Sequence, residues 1–154
     1  RERKSHRRLL YEVSEMATEL TNPQDDRLAL TPEGQVFEIS KSVTFEAAHR
    51  LPGRGSGDPY GRIHGHSFKL EATVAGEVES GEKWVEDLGV VSAELQRVAD
   101  MLDHQLLNDI EGLSAPTFEM ISLWIAQQLK PALPGLTKVT ISRPSLNESC
   151  TLRL

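Results

Sequence analysis

Two long runs of alternating residues constrain this chain more than anything else in it, and histidine stands at one end of each. The second run opens on His64-Gly65-His66, and Phe68, Leu70, Ala72 and Val74 continue its even-numbered positions. Successive side chains of a strand point to opposite faces, so the pattern predicts a strand over 63–78 whose apolar face begins with two imidazoles. The first run, 36–49, closes on Val43, Phe45, Ala47 and His49 at the same period of two. Three histidines at the apolar-facing ends of two strands can offer three neutral nitrogens to one metal. A fourth position then stays open, as in a catalytic zinc site and unlike a structural one. The blander alternative is three core or surface histidines that recur at even spacing.

Between the runs lie Pro52, Gly53, Gly55, Gly57, Pro59 and Gly61, too many breakers for a regular element. This loop delivers the chain to His64, and loops so placed carry chemistry more often than strands do.

The rest of the chain alternates between helix and strand signals. Asp87 is an N-cap for a helix over 88–102, with Val91, Leu95, Val98 and Leu102 on one stripe. Thr117 caps a second helix with Glu119 in its first turn and Ile121, Trp124, Ile125 and Leu129 as its stripe; Pro131 and Pro134 end it. Strands are expected over 138–142 and 149–154, separated by a kink at Pro144 and Asn147. The order β-β-α-α-β-β predicts an α+β domain, an antiparallel four-stranded sheet with two helices on one face. Before it, Leu9, Leu10, Val13, Met16, Ala17 and Leu20 fall at helical spacing, and 21–34 reads as a linker. The expected division is an N-terminal helical extension over 1–34 and one domain over 35–154.

Composition narrows the function classes. The 154 residues carry a net charge of −6, and the only basic block is the first eight residues, which argues against nucleic-acid binding. No stretch approaches the roughly 18 consecutive apolar residues of a membrane helix, and the basic opening leads into no long apolar core. A single cysteine, Cys150, excludes an internal disulfide and suits a reducing cytoplasm.

Four segments occur in order: Phe45-Glu46-Ala47-Ala48-His49-Arg50-Leu51-Pro52, Gly61-Arg62-Ile63-His64-Gly65-His66-Ser67-Phe68, Leu102-Asp103-His104-Gln105-Leu106-Leu107-Asn108-Asp109, and Pro116-Thr117-Phe118-Glu119. Together they resemble the 6-pyruvoyl-tetrahydropterin synthase / 6-carboxy-tetrahydropterin synthase family over about residues 36–154. The resemblance implies the T-fold, or tunnelling fold, whose subunits join their sheets into a barrel, usually a hexamer made of two trimers. It implies that His49, His64 and His66 are zinc ligands and that Asp103 and His104 are a catalytic pair. It also implies that Thr117 and Glu119 help form a pterin pocket at a subunit interface. The implied activity is a zinc-dependent lyase acting on 7,8-dihydroneopterin triphosphate or a related pterin.

Two departures bear on that activity. Bacterial members carry Cys-Gly-Arg-x-His-Gly-His with the cysteine as base; here the place of the thiol is taken by Tyr60, whose reference pKa is near 10. Tyr60 is either a substitute acid or base, or a residue of the pocket mouth. The family's pterin-anchoring glutamate, in Val-x-Val-x-Glu, aligns with Arg143, while a five-residue insertion would align Glu148 instead. Guanidinium donates and cannot accept, so Arg143 suits a carboxylate or phosphate better than a pyrimidinone edge. Two other readings therefore stand beside the pterin lyase: a diverged zinc enzyme for another small molecule, and a non-catalytic zinc-stabilised assembly module.

Overall fold

A computed structural model of the chain describes residues 34–53, 57–78 and 82–154. The expected N-terminal helix lies outside these residues. In chain order the elements are β1 (Val36–His49), β2 (His64–Glu77), α1 (Leu88–Leu102), β3 (Gln105–Leu106), α2 (Phe118–Leu129), β4 (Leu136–Arg143) and β5 (Glu148–Arg153). They form one sheet in the order β3-β1-β2-β4-β5. The α+β architecture is as expected.

Antiparallel pairing of β1 with β2 sets the register that matters. Phe45 stands opposite Phe68, and His49 opposite His64. The two phenyl rings stack at 5.2 Å between centroids, a cross-strand pair that fixes the register one and two pleats below the histidines. A slip of one residue would turn every imidazole to the other face.

The apolar face of β1, β2 and β4 shares one core cluster with the buried stripes of both helices. On α1 the stripe is Val91, Leu95, Val98, Ala99 and Leu102, and the Asp87 side chain caps the helix by accepting from the Gly89 amide at 2.6 Å. On α2, Ile121, Ile125 and Leu129 are fully buried and Thr117 supplies the cap. Each such side chain contributes about 1.5–3 kcal/mol by leaving water. At the far end of the sheet Gly135 runs so close to β2 that a Cβ there would lie 2.9 Å from Val74 Cγ1 and 3.1 Å from the Ala75 carbonyl oxygen.

The sheet has five strands where four antiparallel ones were expected. The addition is β3, whose two residues pair parallel with Ala47 and Ala48 of β1. Two residues carry no readable period; a backbone turn puts them there. Asp103 closes α1, and His104 adopts a left-handed φ of 57°, its amide donating to the Glu46 carbonyl at 2.6 Å. His104 therefore lies beyond the helix, and is not a residue of its last turn. Strand ends differ by one or two residues from expectation, chiefly β4, which begins at Leu136. The glycine-rich loop also holds one 3-10 turn, Pro59–Gly61, capped by the Asp58 side chain.

Candidate metal centre and the pocket beside it

Strand alternation puts His49, His64 and His66 on the same face as Phe45 and Phe68, where they meet. Their ring centroids are 4.6 to 5.2 Å apart. One nitrogen from each lies within 4.8 Å of the others. The backbone decides which nitrogens are offered. His49 Nδ1 donates to the Pro116 carbonyl at 2.9 Å, and His64 Nδ1 donates to the Arg62 carbonyl at 2.8 Å. A neutral imidazole that donates through Nδ1 keeps its lone pair on Nε2. In both histidines that Nε2 is buried with no hydrogen-bond partner among the described residues.

Buried polar atoms are normally satisfied, so two orphaned lone pairs converging on one spot need an explanation. A metal ion supplies it, because a metal-bound imidazole characteristically donates its other N–H to a carbonyl or carboxylate. The donor set fits a metal, and an all-imidazole set suits zinc among others. Protonation is suppressed as well. Burial holds the His49 pKa below its usual value. Burial and then the Arg143 guanidinium bring His66 down to about 4.

Arg143 sits against this cluster at the end of β4. Its Nη1 donates to His66 Nε2 at 2.8 Å, and its Nη2 pairs with the Glu148 carboxylate directly across the β4–β5 register. The guanidinium carbon lies 4.7 Å from the centre of the Phe118 ring, and the side chain is only 13% exposed. Arg143 and Glu148, weighed in the sequence as alternatives for one position, are thus partners in one ion pair. Phe118, lying between two expected pocket residues, carries the guanidinium; its place in the Pro116-Thr117-Phe118-Glu119 segment was the available signal.

A pocket of about 190 Å³ opens here, lined by His49, Tyr60, Thr117, Phe118, Glu119 and Arg143 among others. Tyr60 is 48% exposed at its mouth, with its ring 6.1 Å from that of His64. Glu119 is held below the ordinary carboxylate range by its own amide and by the Thr117 hydroxyl, and so stands as an ionised acceptor. Nothing in the sequence pointed to the carbonyls of Arg62 and Pro116 that orient the imidazoles, since every residue carries one.

Asp103 and His104 are elsewhere. His104 lines a second groove, of about 440 Å³, with His66, Glu46, Gly65, Ser67 and Gln105. Glu46 and Ser67, bonded to each other at 2.9 Å, occupy the strand positions alternate to the histidines and so face away from them. Asp103 accepts from the Glu46 amide at 2.8 Å with one oxygen and from His104 Nδ1 at 2.8 Å with the other. Those two bonds, the backbone one first, lower its pKa. His104 Nε2 is left with the lone pair, on a side chain 79% exposed. One chain thus gathers the three histidines and, beside them, Tyr60, Thr117, Glu119, Arg143 and Glu148; His104 it places outside that pocket, on the groove it shares with Glu46 and Ser67.

A sheet of this order, backed by two helices and ending in three clustered imidazoles, defines a T-fold protein with a candidate metal centre. The family model described as 6-pyruvoyl tetrahydropterin synthase matches residues 38–154. The chain belongs to that family. It is 40% identical over 119 residues to the 6-carboxy-5,6,7,8-tetrahydropterin synthase of Synechocystis sp., covering 73% of this chain and 87% of the relative. It is 35% identical over 97 residues to a dihydroneopterin monophosphate aldolase of Pyrococcus furiosus, covering 63% and 78%. The 6-pyruvoyl tetrahydropterin synthase structure from Caenorhabditis elegans superposes with a TM-score of 0.69 at 26% identity, over 78% of this chain and 96% of that one. No helix among the described residues is long and apolar enough to cross a membrane.

Proposed function

We propose that this chain is a zinc-dependent lyase of pterin chemistry, acting on 7,8-dihydroneopterin triphosphate or a related dihydroneopterin. The observation that carries this reading is the pair of buried, unpartnered Nε2 lone pairs beside a pocket holding an ionised Glu119. Two of the relatives are named for pterin synthesis and one for cleavage of a dihydroneopterin phosphate, so the same class of substrate recurs.

In this reading His49, His64 and His66 hold the zinc. Bound there, it supplies Lewis-acid polarisation of the hydroxyls on the substrate side chain. Glu119, oriented by the Thr117 hydroxyl, accepts from the N–H donors of the pterin ring. Tyr60, at the pocket mouth where relatives of the bacterial kind have cysteine, is placed to exchange a proton with the side chain. His104 presents its Nε2 outward on an imidazole oriented by Asp103, the arrangement of a general base. Removal of a carbon-bound proton then leads to elimination of triphosphate or to cleavage of the side chain.

In this reading the pair completes a zinc centre across a subunit boundary, which is why the reading includes a homo-oligomer, a hexamer of two trimers. Three features support assembly. The groove that holds His104 is separate from the pocket of Tyr60, Glu119 and Arg143. The pocket of one chain is smaller than the roughly 300–1,000 Å³ usual for ligand sites. Among the described residues, β1 is paired on its outer edge only at Ala47 and Ala48, and β5 forms the other edge. Such edges are normally covered.

Titration calorimetry of neopterin into the zinc-loaded protein tests the substrate class. Micromolar binding supports the pterin reading and directs turnover assays to dihydroneopterin triphosphate. Absence of binding, with zinc in place, would transfer the scaffold to another small molecule.

A further inference from the structure

The lone pair on His66 Nε2 has two claimants. Arg143 Nη1 donates to it at 2.8 Å, while the matching Nε2 atoms of His49 and His64 have no hydrogen-bond partner among the described residues. A nitrogen with one lone pair serves either a hydrogen bond or a metal. If the three histidines hold a metal through these atoms, Arg143 must give up His66 when it binds.

The released guanidinium has nowhere neutral to go. It is 13% exposed, fixed at one corner by Glu148 and on one face by Phe118. Its Nε is already buried without a hydrogen-bond partner among the described residues. It borders the pocket that also holds His49, Tyr60 and Glu119. A buried cationic donor that has lost its acceptor is costly unless another takes its place, and an oxyanion is the acceptor whose geometry and charge match guanidinium best.

We propose that Arg143 exchanges partners: it caps His66 in the metal-free site and, once a metal claims that nitrogen, binds an oxyanion carried by the substrate. This rests on the metal centre and deepens the proposed function by naming a carboxylate or phosphate on the substrate as a recognised group. It also makes metal and oxyanion binding mutually reinforcing, since each favours the arginine position that the other needs. Glu148 keeps the guanidinium from leaving the site in either position.

The test measures zinc affinity by competition with a chromophoric chelator, for the full-length wild type and for Arg143→Met, which keeps the bulk and removes the donors. Zinc affinity is expected to rise by about ten-fold in the variant, the scale of one charge-assisted hydrogen bond. Equal or weaker affinity overturns the proposal. The same titrations are repeated with 6-carboxypterin, with 7,8-dihydroneopterin monophosphate and with 6-hydroxymethylpterin as the neutral control. In the wild type the carboxylate or the phosphate probe should tighten zinc by about ten-fold or more over the control, and whichever does so identifies the group recognised. In Arg143→Met that advantage should vanish. An advantage that persists in the variant means that the metal itself binds the anion, and overturns the exchange. The underlying readings fail differently. No zinc uptake by either protein refutes the metal centre. Zinc uptake without binding of any probe refutes the pterin pocket, and the zinc comparison between the two proteins still decides the exchange.

Discussion

The two histidine sites of this chain are built by opposite means. His49, His64 and His66 are placed by the pleat of two paired strands, on the core face, with the tautomers of His49 and His64 set by the carbonyls of Pro116 and Arg62. His104 is placed by a left-handed turn beyond a helix, on the solvent side, with its tautomer set by one neighbouring carboxylate. The first arrangement is complete within a chain and rigid; the second is exposed and unfinished. The contrast separates a cluster assembled from three ring nitrogens from a single imidazole on an open groove.

The strongest way to break the comparison is to remove one member of the first site. His64→Ala should abolish bound zinc and all turnover, since two nitrogens rarely hold a catalytic zinc tightly. Metal content near one per chain in the purified variant would show that the ligand set is misassigned.

His104→Ala should do the reverse, retaining zinc and losing about 10²–10⁴ in turnover, the usual worth of a general base. Its sharper use is in combination. If each catalytic centre takes its zinc from one chain and its Asp-His pair from another, the two inactive variants mixed, dissociated and reassembled should regain activity. Random assembly leaves about a quarter of the sites with both contributions intact. A mixture as dead as its components would place both functions within one chain.

The pleat-built site was legible from sequence because a period of two survives translation into structure intact: Phe45, Ala47 and His49 share a face wherever the strand runs. The caps at Asp87 and Thr117 were legible because side-chain chemistry fixes them locally. β3 was not, since two residues have no period and their pairing depends on the dihedral angles of His104. Nor was the groove that His104 joins, because adjacency in sequence to a helix end says nothing about where the turn will meet the sheet. Arg143 and Glu148 were seen as rivals for one position, because a linear alignment cannot show that the four-residue turn between them returns the second to the first. A structural prediction tests this independence of the strand-built site from the rest. Gly135→Ala, at the far end of β2, forces a Cβ toward Val74 Cγ1 and the Ala75 carbonyl. It should cost about 1–3 kcal/mol in denaturant unfolding and leave zinc stoichiometry unchanged; loss of zinc would mean that the sheet transmits strain along its whole length.

The smallest effect probes the turn-built site through its carboxylate. Asp103 accepts from the Glu46 amide and from His104, and both bonds favour its ionised form, so its folded pKa lies below the ordinary 3.8. Between the folded and the ordinary value the unfolded chain binds more protons than the folded one, and stability must fall as pH falls through that window. The contribution of Asp103 is therefore fully present above about pH 4 and lost in stronger acid. Asp103→Asn keeps an acceptor for the Glu46 amide but meets His104 with a donor, so it loses the charge without losing the shape. Its thermal midpoint should lie slightly below that of the wild type at pH 7, with the gap closing as pH falls below the ordinary carboxylate value and the wild-type carboxyl takes up its proton. A gap that is constant with pH would assign the effect to packing at the turn, and the Asp103–His104 pair would then be held by the backbone alone.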